Sequence, residues 1–295
     1  MFIDDAYAHL YSLCLQGMGV STPNPNVSAA IYGEDQKLIA DGFHNRTNSV
    51  DHAEVIALKK AGAASRGATL VVSLEPCAHQ GTTPPCTQAI IDAGIAKVIY
   101  AVADPNPLAA GGAQKLIDAG IVVEHRESAE LEFVQRAWLH KERTGRPLMV
   151  WKVATTLDSK VAASDGTSQW ITSDKARRDV AVLRNQSDAI VTTTATVLAD
   201  NPDLTPRFEN GNNPSGRVKN PVRVVMGERA VPTEFAVHND KAETRFINSH
   251  DFTSLLDMAQ HSGWNQIMIE AGSTFNSALI RTGLVDEIVL YQAPS

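Results

Sequence analysis

Short apolar runs alternate along this chain with stretches whose apolar residues recur every three to four positions. The runs have the length and β-branched content of strands, and the recurring positions mark one face of a helix. Residues 4–17 predict a first helix, with Ala6, Leu10, Leu13 and Cys14 on one face. STPNPNV follows and cannot be helical, because its prolines restrict themselves and the residues before them. SAAIY and KLIADGFH predict two strands joined at GEDQ, and ATLVVSLEP, AKVIYAVAD and IVVEH predict three more. Between them, SVDHAEVIALKKAG predicts a helix with Asp51 as its N-cap, ending at Gly62. PPCTQAIIDAG and GGAQKLIDAG predict two further helices. Alternation of strand and helix makes this half α/β, with at least part of its sheet parallel.

A helix over residues 128–141 leads into KERTGRPLM, which is polar and carries one Gly and one Pro. A domain boundary is expected there, with one domain over 1–145 and a second over 146–295. MVWKVATTL, SDAIVTT, PVRVVMG, ETRFINS, NQIMIEAG and DEIVLYQ then predict the strands of a second α/β domain. Two domains also suit the length, since 295 residues exceed a comfortable single core.

Composition changes the picture little: 43% hydrophobic and 20% charged residues are ordinary for a globular protein. The N-terminus, MFIDDAYAHLYSL, is acidic where a secretory leader is basic, and no run of 18 apolar residues occurs. A cytoplasmic protein without membrane contact is expected. The net charge of −7 argues against a protein that grips nucleic acid through its phosphates. Three cysteines, an odd count, argue against a disulfide framework and leave metal binding or catalysis open. Cys14 reads as a small core residue.

The chemistry is carried by HAEV at 52–55 and EPCAHQGTTPPC at 75–86. His52 and Cys86 fall in the first turns of two helices, and Cys77 follows a strand. If those helix N-termini meet at one sheet edge, their partial positive charge favours thiolates. One imidazole and two thiolates suit zinc, and three protein ligands leave a fourth position for water. Glu54 then serves as the proton carrier between that water, a ring nitrogen and a departing amine. H-x-E followed by P-C and a second Cys is the pattern of zinc deaminases acting on amino-substituted bases. The alternative is structural zinc with His44 or His79 as a fourth ligand, or no metal.

TPNPNV, DGFH, DHAEV, LEPCAHQGTTPPC and DPNP, in that order, resemble the deaminase half of the bifunctional deaminase/reductase family of riboflavin biosynthesis. WKVATTLDSKVA, SQWITS, ARRDV, LRNQSDAIVTTTATVLADNPDLTPR and EAGSTF resemble its reductase half. The resemblance implies a cytidine-deaminase-like three-layer α/β/α domain followed by a dihydrofolate-reductase-like α/β domain. It implies zinc and NADPH as cofactors and phosphorylated pyrimidines as substrates. The first step would deaminate 2,5-diamino-6-(5-phosphoribosylamino)pyrimidin-4-one. The second would reduce the ribosyl group of the product to ribityl. Asn24 and His79 become pocket residues. Ala154, Trp170, Thr196, Asp200 and the turn Gly272, Ser273, Thr274, Phe275, Asn276, Ser277 and Ala278 become NADP contacts. Ser168, Arg184, Leu204, Arg207 and Glu270 become substrate contacts. Lys152 and Asp200 are candidates for assisting the carbonyl as hydride arrives. A homo-oligomer through the reductase domain is expected.

Three departures from the family pattern stand out. Ser28 replaces a usual Gly, and a residue that small should preserve the turn. Gly227-Glu228 replaces an Asp-Ser, and a Glu touching the NADP 2′-phosphate would repel it. The family also continues for several tens of residues past YQAPS, so part of its reductase domain is expected to lie beyond this sequence. Two rivals are a deaminase of the tRNA-editing kind and a non-catalytic protein with structural zinc.

Overall fold

The computed structural model describes residues 2–81, 83–106, 111–161, 173–208, 217 and 219–293. The chain divides into two compact units, Met1–Thr144 and Gly145–Ser295. Among the described residues, no helix is long and apolar enough to cross a membrane.

The first unit is built on a five-stranded sheet in the order β2-β1-β3-β4-β5. Its strands are β1 (Ser28–Tyr32), β2 (Leu38–Phe43), β3 (Thr69–Val72), β4 (Lys97–Tyr100) and β5 (Val122–His125). β1 pairs antiparallel with β2 and β3, while β3, β4 and β5 run parallel. All five residues of β1 are buried, so helices cover both faces. Helix α1 (Phe2–Gly17) packs against β1 and α5 (Ala129–Val134), and α2 (Ala53–Ala61) packs against β1, β2 and α3 (Cys86–Ala93). α4 (Gly112–Asp118) adjoins α3 and β5. The expected helix over 128–141 is two: α5 ends, Gln135 intervenes, and α6 (Arg136–Thr144) follows. The Gln135 amide is buried and donates to the Ser73 and Leu131 carbonyls, anchoring the junction to the loop after β3.

Cys14 is fully buried, as expected of a core residue. Its sulfur lies 3.1 Å from the Ser28 hydroxyl, and burial pushes the thiol up to about 11. Ser28 donates its hydroxyl to the Leu10 carbonyl and starts β1, so α1 and the sheet are tied where the family has Gly.

The second unit is a six-stranded sheet in the order β11-β6-β10-β7-β8-β9, with every recorded pairing parallel. Its strands are β6 (Leu148–Thr155), β7 (Ala189–Thr193), β8 (Val222–Met226), β9 (Thr244–Ile247), β10 (Gln266–Ile269) and β11 (Glu287–Gln292). The helices are α7 (Asp174–Gln186), α8 (Thr194–Asp200), α9 (Phe252–Ser262) and α10 (Ser273–Arg281). β10 enters between β6 and β7, so strands progress outward in both directions from that point. Such a switch point opens a crevice at the carboxyl ends of the strands.

Candidate active sites

In the first unit, α2 presents its N-terminus to a cavity of ≈ 350 Å³ that Cys77 also lines, and α3 packs beside α2. Asp51 is not the cap of α2. His52 occupies the N-cap position with extended backbone and no side-chain cap bond, and Asp51 lies one residue too far upstream. The Asp51 carboxylate instead accepts from Lys59 Nζ at 2.6 Å, and its carbonyl accepts from His44 Nδ1 at 2.9 Å. The His52 imidazole, unused as a cap, reaches the two sulfurs.

Cys86 is the first residue of α3. Cys77, in the loop after β3, is locked to that helix end twice. Its sulfur accepts from the Cys86 backbone N–H at 3.4 Å, and its carbonyl accepts from the Thr87 N–H at 3.2 Å. These are N–H groups that a helix leaves without internal partners. Gly112 closes the approach from α4: a Cβ there would lie 1.7 Å from the Pro76 carbonyl oxygen, next to Cys77.

His52 Nδ1 lies 3.2 Å from Cys86 Sγ and 3.7 Å from Cys77 Sγ, and the three ligand atoms all fall within 4.8 Å of one another. With zinc–ligand bonds of about 2.0–2.3 Å, those separations fit the edges of a tetrahedron around one ion. Hydrogen bonds from Cys86 and His52 pull the Cys77 thiol down to about 4 against the cost of burial. The bond to Cys77 and burial push the Cys86 thiol up. His44 and His79 are outside the cluster among the described residues. Both His44 nitrogens are engaged, one by the Asp51 carbonyl and one by Asn24 Nδ2. His79 and Asn24 line the cavity.

Glu54 is 3% exposed and faces the same cavity. Burial raises its carboxyl above the usual range, against the attraction of His52. A buried carboxylate beside a metal-ligand cluster can hold and release a proton near neutrality. Asp104 of DPNP and Glu75 of EPC, to which the sequence pattern gives no role, both line the cavity. Glu75 accepts from the Ala113 and Asp104 N–H groups, which ties the β3 loop to α4. Burial pushes Asp104 up to about 6.

In the second unit, a cavity of ≈ 870 Å³ lies over the carboxyl ends of β6 and β10. Lys152, Ala154, Thr196, Asp200, Leu204 and Glu270 line it, and so do Gly272, Ser273, Asn276 and Ser277. Arg207 and Thr274 are exposed and Phe275 is buried in the core, and none of these lines the cavity. Ala278 is likewise outside its lining. Ser168 and Trp170 lie outside the described residues.

Glu270 sits at the centre of a buried charge cluster. Arg184 donates to it through Nε at 2.6 Å and Nη2 at 2.9 Å, and Lys152 Nζ lies 3.0 Å away. Burial works to raise the Glu270 carboxyl, but the charges of Arg184 and Lys152 outweigh it and hold it well below the usual range. Removing one partner of such a buried pair costs about 3–5 kcal/mol, because the other charge is left unpaired. Arg184 is thus engaged by Glu270 and by the Thr205 carbonyl.

The loop after α8 carries Leu204, buried and left-handed at φ 53, a conformation that a Leu holds only when its surroundings impose it. Asp203 supplies that restraint. It accepts from Asn239 Nδ2 at 2.9 Å, Lys241 Nζ at 2.8 Å and Thr205 Oγ1 at 3.2 Å. Asn239 in turn is held by the fully buried Arg223. The sequence offered no signal for this network, whose members come from separate segments. Gly227, one of the departures, has φ 128, and a Cβ there would lie 2.5 Å from Thr194 Oγ1, so the turn after β8 requires glycine.

Comparison with known proteins matches a family to each half of the chain. The cytidine and deoxycytidylate deaminase zinc-binding region matches residues 4–102, and the RibD C-terminal domain matches residues 147–295. The riboflavin biosynthesis protein RibD of Mycobacterium tuberculosis (strain H37Rv) is 42% identical over 294 residues, covering 99% of this chain and 85% of the relative. That of Escherichia coli K12 is 38% identical, covering 99% and 88%. Acinetobacter baumannii RibD superposes with a TM-score of 0.87 at 34% identity, covering 100% of this chain and 88% of its own. A diaminohydroxyphosphoribosylaminopyrimidine deaminase/5-amino-6-(5-phosphoribosylamino)uracil reductase of Thermotoga maritima gives 0.89 at 31% identity, covering 100% and 87%. With a zinc-binding deaminase region and a reductase domain in one chain, this protein belongs to the RibD family of bifunctional deaminase/reductases of riboflavin biosynthesis.

Proposed function

We propose that the first unit deaminates 2,5-diamino-6-(5-phosphoribosylamino)pyrimidin-4-one and that the second reduces the ribosyl group of the resulting uracil to ribityl. The observation that carries the first step is the His52, Cys77 and Cys86 cluster with Glu54 buried in the same cavity. Zinc held by those three residues would polarise a water for attack at neutral pH. In the forward step water adds at C2, the C2–N bond to the amine breaks, and ammonia leaves with the ring carbonyl in place. Glu54 takes the water's proton on its carboxylate and delivers protons to the ring nitrogen and the departing amine.

For the second step, NADPH would supply the hydride to the open-chain sugar carbonyl. Gly272, Ser273 and Ser277, at the start of α10, offer backbone N–H groups and hydroxyls for the cofactor's phosphates. Lys152, which lines the cavity 3.0 Å from Glu270, is the first candidate to donate a proton to the carbonyl oxygen as hydride arrives. Asp200 lines the same cavity and is the second candidate for that role. The reading includes a cytoplasmic location, where thiolate ligands stay reduced. It also includes a homo-oligomer through the reductase unit. Light scattering that finds only monomer would remove that part.

The test follows ammonia release and NADPH oxidation together in the zinc-loaded chain. Glu54→Gln should lower ammonia release by about 10²–10⁴-fold while bound zinc is unchanged. Undiminished turnover in that variant would sink the assignment of Glu54, and no ammonia from the wild-type chain would sink the deaminase reading.

A further inference from the structure

The carboxyl side of the deaminase cavity is crowded. Glu54, Glu75, Asp104 and Glu142 line it, and the whole chain carries −7. Among the described lining residues Arg46 alone carries a permanent positive charge. A phosphate dianion is repelled by carboxylates at short range and needs a cation. In this cavity that requirement selects one wall.

Arg46 is held on that wall from both ends. Its backbone N–H donates to the Val20 carbonyl at 3.0 Å, and the turn around it is closed by bonds from the Asn48 and Ser49 N–H groups to the Asn45 carbonyl. Its guanidinium donates through Nη1 to Asn24 Oδ1 at 3.2 Å. The direction of every bond in the chain behind it is determined. The Asp51 carbonyl can only accept, so His44 Nδ1 carries the hydrogen between them. The Asn24 amide nitrogen can only donate, so His44 Nε2 accepts from it, and Asn24 turns its oxygen to Arg46. The His44 ring lies edge-on to the metal-ligating His52, centroids 5.4 Å apart. Arg46 therefore stands three contacts out from the reacting centre.

We propose that Arg46 binds the phosphate of the deaminase substrate and so selects phosphorylated over unphosphorylated pyrimidines. The proposal rests on the substrate assigned in the preceding section. A guanidinium has five N–H donors, and one of them is engaged by Asn24. The others suit two oxygens of a phosphate in bidentate fashion. The same contact would draw Arg46 toward the ligand while Asn24 keeps its amide oriented by His44.

The experiment measures ammonia release by the full zinc-loaded chain with the phosphoribosyl substrate and with its dephosphorylated, ribosyl counterpart. Arg46→Gln should raise KM for the phosphorylated substrate roughly ten- to hundredfold, with kcat little changed. It should leave KM for the dephosphorylated compound where it was. Arg46→Lys should recover part of the loss, and inorganic phosphate should weaken as a competitive inhibitor of Arg46→Gln by a similar factor. Equal KM increases for both substrates would show that Arg46 acts only by orienting Asn24, and would overturn the proposal. Unchanged values for both would overturn it as well. Absence of ammonia from the wild-type chain with either compound would instead remove the underlying deaminase reading, and the proposal with it.

Discussion

Asp104 shows how one half-buried carboxyl registers the character of its surroundings. Burial pushes it up to about 6 from 3.8 in the open chain, so the folded state holds this proton more tightly. The neutral form is favoured, and the associated stability is fully present below about pH 4 and lost as pH rises through 6. Asp104→Asn keeps an acceptor for the Asn106 N–H, which Asp104 Oδ1 now binds at 2.8 Å. The variant is expected to melt a few degrees higher than wild type at pH 7–8. That advantage should vanish near pH 4 when zinc-loaded samples are compared by calorimetry across the pH range. A constant difference over that range would mean that titration of Asp104 is not its cause. The same residue scale explains why His52 rather than Asp51 begins α2. The imidazole makes no cap bond and lies against the two sulfurs, while Asp51 pairs with Lys59.

At the scale of elements, the metal cluster depends on how closely helices approach the loop after β3. The N-terminus of α4 runs against the Pro76 carbonyl so tightly that no side chain fits at Gly112. Gly112→Ala must push either α4 or the Pro76–Cys77 segment away. Overpacking of this kind costs about 1–3 kcal/mol. Because the displaced loop carries a ligand, the variant is expected to lose zinc at a lower chelator concentration than wild type, as read by a competing colorimetric chelator. If stability falls and zinc retention does not, α4 moves and the loop stays. In the reductase unit the comparable element is the loop after α8, held in an unfavourable backbone conformation by Asp203 and by the Arg223–Asn239 pair behind it. Helix α8 itself needs less help: Thr193 caps it by accepting from the Thr196 N–H.

At the scale of the whole molecule, each unit carries its own sheet, core and cavity. Ligands that bind the folded state of one unit should therefore stabilise that unit by mass action. Chelation of zinc is expected to lower the melting transition of the first unit and leave that of the second unchanged. NADPH should raise the second and leave the first. Differential scanning calorimetry with each ligand added separately reads both effects. A single transition that shifts as one with either ligand would mean that the two cores unfold cooperatively.

What the sequence by itself determined is what local rules govern. Alternating strand and helix, the polar stretch before β6, and the spacing of His52, Glu54, Cys77 and Cys86 are all properties of neighbours along the chain. So are the family motifs, which named the deaminase and reductase chemistry before any coordinates. Strand boundaries came close for the same reason, since period and turn residues act over a few positions. What only the tertiary structure decided involves partners distant in sequence. It set Glu270 against Arg184 and Lys152, and Asp203 against Asn239 and Lys241. It turned Phe275 into the core, away from the cavity its motif suggested, and made Arg46 the lone described cation on the deaminase wall. The physical reason is common to these cases. A side chain's charge state and reach are set by what folding packs against it, and one-dimensional spacing carries no record of that.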